Sequence, residues 1–174
     1  SRRNIQVSWV DGKPRYLTPG AEVSADLTNT IKVYPTARVE EHQKIRANQW
    51  KYVDYDGDGA LDLIAGVGIW DDYGGDNAYN AKGGWTNGPL RGFVYLMRNE
   101  GTMAKPNYSA PTKVQAGGKP VDVYGRPSPN FADFDGDGDL DLLCGEFVDS
   151  FTYFENYGTR KAPKYAAGRK LTHN

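Results

Sequence analysis

The chain has 174 residues, with 21 Lys and Arg against 22 Asp and Glu for a net charge of −1. That length fits about one domain, and the charge balance gives no global pull on nucleic acid. No apolar run approaches the ~20 residues of a membrane span or resembles the core of a signal peptide. A single cysteine, Cys144, excludes an internal disulfide and a cysteine-based zinc site. His42 and His173 lie far apart in the chain and poorly supply a histidine mechanism. Twenty-one glycines, 10 prolines, 12 tyrosines and 4 tryptophans predict a turn-rich β protein.

In chain order, residues 1–45 read as the end of one repeat unit plus a connecting insertion. Trp9 and Pro14-Arg15-Tyr16 form a faint copy of a motif met twice later, and Val39–Ile45 is predicted as a short helix. Residues 46–111 form a second unit and 112–174 a third. DYDGDGALDL at 54–63 answers DFDGDGDLDL at 133–142, and Ile64-Ala65-Gly66 answers Leu143-Cys144-Gly145. The stretch from Tyr95 to Thr102 answers that from Tyr153 to Thr159, both carrying an Asn-x-Gly-Thr turn. Pro106-Asn107-Tyr108 then answers Pro163-Lys164-Tyr165. The Pro-to-Pro interval sets a period of about 57 residues, and the second unit carries about 22 extra residues between Gly68 and Gly92. In the third unit, strands are predicted at Asn130–Asp133, Asp139–Glu146 and Phe151–Asn156, with a fourth beginning at Tyr165. Four short strands per unit, with no sustained helical period, predict an all-β chain forming two to three four-stranded blades, a portion of a β-propeller.

Both acidic loops place aspartates at positions 1, 3, 5 and 9: Asp54, Asp56, Asp58 and Asp62 in one, Asp133, Asp135, Asp137 and Asp141 in the other. Alternate spacing with intervening glycines lets the carboxylates converge, and position 7 (Ala60, Asp139) adds a backbone carbonyl. Many flexible oxygen ligands suit Ca2+ better than Mg2+, and the carboxylates would repel one another without a divalent ion. Two calcium sites are therefore expected. An EF-hand is excluded, since its position-12 glutamate is replaced by Ala65 and Cys144, and apolar strands stand where its helices would be.

The DxDGDGxxDL motif, the apolar and aromatic strands after it, and the Asn-x-Gly-Thr turn resemble the VCBS/FG-GAP repeats over residues 46–171. That resemblance implies a calcium-stiffened β-propeller, similar to integrin α-subunit heads and secreted bacterial proteins, used outside the cell in adhesion or glycan handling. A closed propeller needs at least four blades. The expectation is thus a piece of a longer chain, or assembly of several copies into one ring.

The insertion Ile69–Arg91 is rich in aromatics, amides and acids. Trp70, Asp72, Tyr73, Tyr79 and Trp85 are the candidate ligand-binding residues, with rings to stack on sugars and polar groups to bond hydroxyls. The alternatives are packing of the loop on itself, a cation site at Asp71, Asp72 and Asp76, and lyase chemistry from Tyr73, Tyr79, Lys82 and Arg91. Arg2-Arg3 and Arg160-Lys161 read as solvated edge charges, and Cys144 as a small core residue. The expected function is a secreted or cell-surface, non-catalytic module that binds carbohydrate or an extracellular protein. A polysaccharide lyase and a structural unit assembling through blade edges are the alternatives.

Overall fold

A computed structural model describes residues 5–37, 39, 45–75, 77–148 and 150–171, with backbone only at Arg46 and Ala47. The described residues contain strands and turns and no α-helix. The helix expected at Val39–Ile45 falls largely on residues 40–44, outside the described set, and Ile45 itself opens a strand.

Among the described residues, three larger antiparallel sheets follow one another along the chain, with one two-stranded hairpin set into the edge of the second. The first is a meander of β1 (Gln6–Val10), β2 (Lys13–Thr18), β3 (Ala21–Val23) and β4 (Thr30–Lys32). Its first turn is Asp11-Gly12, with φ of 50° and 73° at the two central residues. Two consecutive left-handed residues twist a two-residue turn to match the strands, and Val10 pairs directly with Lys13. Residues 6–32 therefore form a four-stranded sheet of their own. Pro14 and Tyr16 lie inside β2 and do not repeat the later Pro-x-Tyr geometry.

The second sheet is built on β5 (Ile45–Val53), β6 (Asp62–Ile69) and β7 (Arg91–Met97). Its outer position is shared by β8 (Thr112–Lys113) and β11 (Asp122–Val123), which pair with β7 on either side of a small hairpin. That hairpin joins β9 (Gln115–Ala116) to β10 (Lys119–Pro120). Residues 112–123 thus contribute to the edge of the second sheet. The third sheet runs β12 (Ser128–Ala132), β13 (Asp141–Gly145), β14 (Phe151–Phe154) and β15 (Arg169–Leu171). Its last strand starts at Arg169 and not at Tyr165, which makes single bridges to Asn156 and Ala116.

Every residue of β6 is buried, because the second sheet has a core on each face. Side chains alternate across a strand, so Leu63, Ala65, Val67 and Ile69 join Leu17, Trp50, Tyr52, Phe93, Tyr95 and Met97 on the face toward the first sheet. Ile64, Val94 and Leu96 turn the other way, onto Leu142, Cys144, Phe154 and Tyr165. Gly66 has no room for a side chain, since a Cβ there would lie 2.4 Å from the Pro127 carbonyl oxygen. Leu63 faces Met97 and Leu142 faces Phe154. This register matches Asn99 with Asn156, and Tyr95 with Thr152 in place of Tyr153.

Candidate metal centres in two equivalent loops

The acidic loops occupy the same place in two successive sheets, between β5 and β6 and between β12 and β13. Left-handed glycines curl each one: Gly57 and Gly59 at φ 68° and 86°, Gly136 and Gly138 at 85° and 96°. The curl brings carboxylate oxygens of Asp54, Asp56 and Asp58 within 4.8 Å of one another, and those of Asp133, Asp135 and Asp137 likewise. In the second loop the carboxylates also accept from backbone amides. Asp133 takes Gly136 N at 2.7 Å and Gly138 N at 3.1 Å, Asp135 takes Asp137 N at 3.1 Å, and Asp137 takes Asp139 N at 3.0 Å. In the first, Asp58 accepts from Ala60 N at 2.7 Å.

The position-9 aspartates do something different. Asp62 accepts from Tyr55 N at 2.9 Å and from Asn99 N at 2.7 Å. Asp141 accepts from Phe134 N at 3.2 Å and from Asn156 N at 2.8 Å. Each buried carboxylate therefore ties the start of its loop to the turn after the third strand. The structure places these two among backbone amides and groups only positions 1, 3 and 5 as convergent triads. Burial raises the Asp62 carboxyl above its ordinary range against the pull of those amides, and Asp58 and Asp54 push the same way. Burial, then the charges of Asp137, Asp141 and Asp135, raises Asp139.

Two acidic triads of this kind could bind metal ions. Every donor is a hard oxygen, as a calcium or magnesium ion requires. In the first triad the buried Oδ1 atoms of Asp54 and Asp56 have no hydrogen-bond partner. An unpaired buried carboxylate oxygen is costly, and a cation supplies the missing partner.

Two arginines that motif reading missed sit on the first loop. Arg160, from the third sheet's turn, donates to the carbonyls of Asp54 at 2.5 Å and Tyr55 at 3.1 Å, and lies 3.4 Å from the Asp54 carboxylate. This corrects its reading as a solvated edge charge; its neighbour Lys161 is exposed. Arg98 forms an ion pair with Asp56.

The insertion, residues 70–90, is the tip of the β6–β7 hairpin and packs on itself. Tyr73 stacks on Trp85 at 4.4 Å between centroids, Trp70 tilts onto Tyr73 at 5.2 Å, and Tyr79 meets Trp85 edge-on at 5.1 Å. Tyr79 and Trp85 also form a backbone bridge, and the Trp85 indole N–H donates to Gly88 O at 3.2 Å. Tyr79 keeps 61% of its surface exposed. Arg91 donates to Asp72 at 2.8 Å and to Asp122 at 2.5 Å, pinning the loop's base to the sheet edge. Asp72 is thus an ion-pair partner, and Asp76 of the suggested cation cluster lies outside the described residues, as do His42, His173 and Arg2-Arg3. Cys144 is buried, and burial pushes its thiol up to about 12.

Comparison with protein-family models, with curated proteins and with solved structures finds no match to this chain.

Proposed function

We propose that this chain is a calcium-stiffened β-propeller repeat module that works outside the cell by binding carbohydrate or protein, without catalysis. The observation that carries the reading is the recurrence of one acidic triad between the first and second strands of two successive sheets, with buried Oδ1 atoms of Asp54 and Asp56 left unpaired in the first. Calcium is the fitting ion because the loops offer many flexible oxygens, and the millimolar calcium of extracellular fluid fills sites of modest affinity.

A blade-like arrangement is supported by where the sheets meet. Their first strands, β1, β5 and β12, line one cleft of about 440 Å³ through Val7, Trp9, Lys51, Val53, Asn130 and Phe131. Lys51 Nζ donates to Asn130 Oδ1 across it at 2.5 Å, and Tyr52 N donates to Ser8 Oγ at 2.9 Å. Inner strands converging on a common axis are what a propeller requires. A lyase reading draws no support from the insertion, where Arg91 is committed to Asp72 and Asp122 and Tyr73 lies against Trp85.

The test is thermal unfolding in ~2 mM calcium and in EDTA. Two sites filled to about ten times their dissociation constants would add ~3 kcal/mol, raising Tm by roughly 5–10 °C for a chain of this size. Asp56→Ala and Asp135→Ala should each narrow that gap. Identical melts of the parent in both conditions would rule calcium out.

A further inference from the structure

Resting on the calcium reading above, we propose that the two loops are unequal cation sites, and that Arg98 is a tethered counter-ion that makes the first the weaker. Arg98 follows Met97 and precedes Asn99, whose amide donates to Asp62. The residue at the same place in the third sheet is Glu155, between Phe154 and Asn156, whose amide donates to Asp141. The correspondence holds in the next hydrogen bond, where Ser109 N donates to Arg98 O and Ala166 N to Glu155 O, both at 2.8 Å. One site thus carries a cation where its twin carries an acid.

The arginine is placed to compete. Its side chain is 51% exposed and ion-pairs with Asp56, which is only 12% exposed. A divalent ion entering the first triad must share that carboxylate with the guanidinium or displace it. Arg160 adds a second positive charge beside Asp54. None of the ion pairs among the described residues reaches Asp133, Asp135 or Asp137. The second loop also has Asp139 where the first has Ala60. Affinity for a hard cation rises with the negative charge of its ligand set, so the second loop fills first. The first takes up its ion at higher concentration, once Arg98 has swung into solvent. Arg160 is different in kind, because its bonds go mainly to backbone carbonyls and survive ion entry.

Calorimetric titration of the whole chain with calcium tests this. The parent should bind two ions in steps separated by about tenfold, the size expected for one screened charge near a divalent ion. Arg98→Gln should tighten the weaker step about tenfold and leave the stronger unchanged, while Arg98→Lys, keeping the charge, should stay close to the parent. Glu155→Arg should weaken the stronger step by a similar factor, and this exposed change does not depend on any loop variant folding. Asp135→Asn should remove the stronger step. Two steps indifferent to both Arg98→Gln and Glu155→Arg, or loss of the weaker step in Asp135→Asn, would overturn the inequality while leaving calcium binding intact. No calcium binding by the parent would overturn both.

Discussion

Asn156 is 1% exposed, and its side-chain oxygen accepts from Gly158 N at 3.0 Å and Lys164 N at 2.8 Å. Asn99 does the same for Gly101 N at 3.0 Å and Asn107 N at 2.9 Å. An amide side chain here stands in for a missing strand, satisfying two amides of a turn that has no backbone partner for them. Asn156→Ala strands both donors and opens a small void, and each buried unsatisfied group costs about 1–3 kcal/mol. We expect a loss of about 2–4 kcal/mol in urea unfolding with EDTA present; a loss below about 0.5 kcal/mol would mean that water serves the turn equally well. The repeat in the sequence displays these asparagines, because local spacing carries them. Positions 1, 3 and 5 of the acidic loops were readable for the same reason. The amide-binding role of Asp62 and Asp141 was not, since it depends on a turn 37 or 15 residues downstream. Arg160 was less readable still, because its partner in space is 106 residues away.

At the level of elements, the insertion behaves as a miniature hairpin hung on the β6–β7 tip. Its backbone bonds run between Thr86 and Ala78, Asn80 and Gly84, and Gly88 and Asp72, all at 2.8–2.9 Å. Its aromatic rings occupy one another's faces, so Trp85 has little free face for a sugar, and Tyr79 is the ring left in solvent. Stacked rings contribute about 0.5–1.5 kcal/mol beyond burial. Trp85→Ala should therefore loosen the loop while sparing the sheets. Limited proteolysis should cut within residues 70–90 several-fold faster, with Tm lowered by only a few degrees. A collapse of Tm comparable to loss of a core residue would place Trp85 in the main core instead. Aromatic content marked this loop in the sequence without revealing which faces the rings would cover. The N-terminal sheet was missed for a different reason. Its strands are as short as three residues, and the Asp11-Gly12 turn, the one strong signal, lies outside the repeat. The split outer strand of the second sheet, two residues on either side of a hairpin, is too short for any alternation to register.

For the whole molecule, the buried acids beside the two triads set how stability responds to pH. Asp62 and Asp139 hold their protons more tightly in the folded chain than in the unfolded one. A carboxyl raised in this way adds stability below its unfolded value of about 3.9 and loses it as pH rises through the folded value. Without calcium, stability should thus fall as pH rises above the ordinary carboxylate range. Asp26, lowered to about 2 by Ser24 and Thr28, works in the opposite sense, but its effect is complete below pH 5. Glu146 is lowered too, because hydrogen bonds from Thr152 and Lys170 and the Lys170 charge outweigh its burial, and it likewise acts below this window. On the proposed reading calcium would reverse the slope, since an ion held by carboxylates gains from each proton lost. The gap in Tm between ~2 mM calcium and EDTA should accordingly widen as pH rises above the ordinary carboxylate range. Taking the difference at each pH cancels groups remote from the loops. A gap that is constant with pH would mean that the ion is held by other carboxylates, with Asp62 and Asp139 outside its surroundings. A widening gap would make both of them part of the cation's surroundings, and would tie the stability of the two cores flanking β6 to the calcium level around the protein.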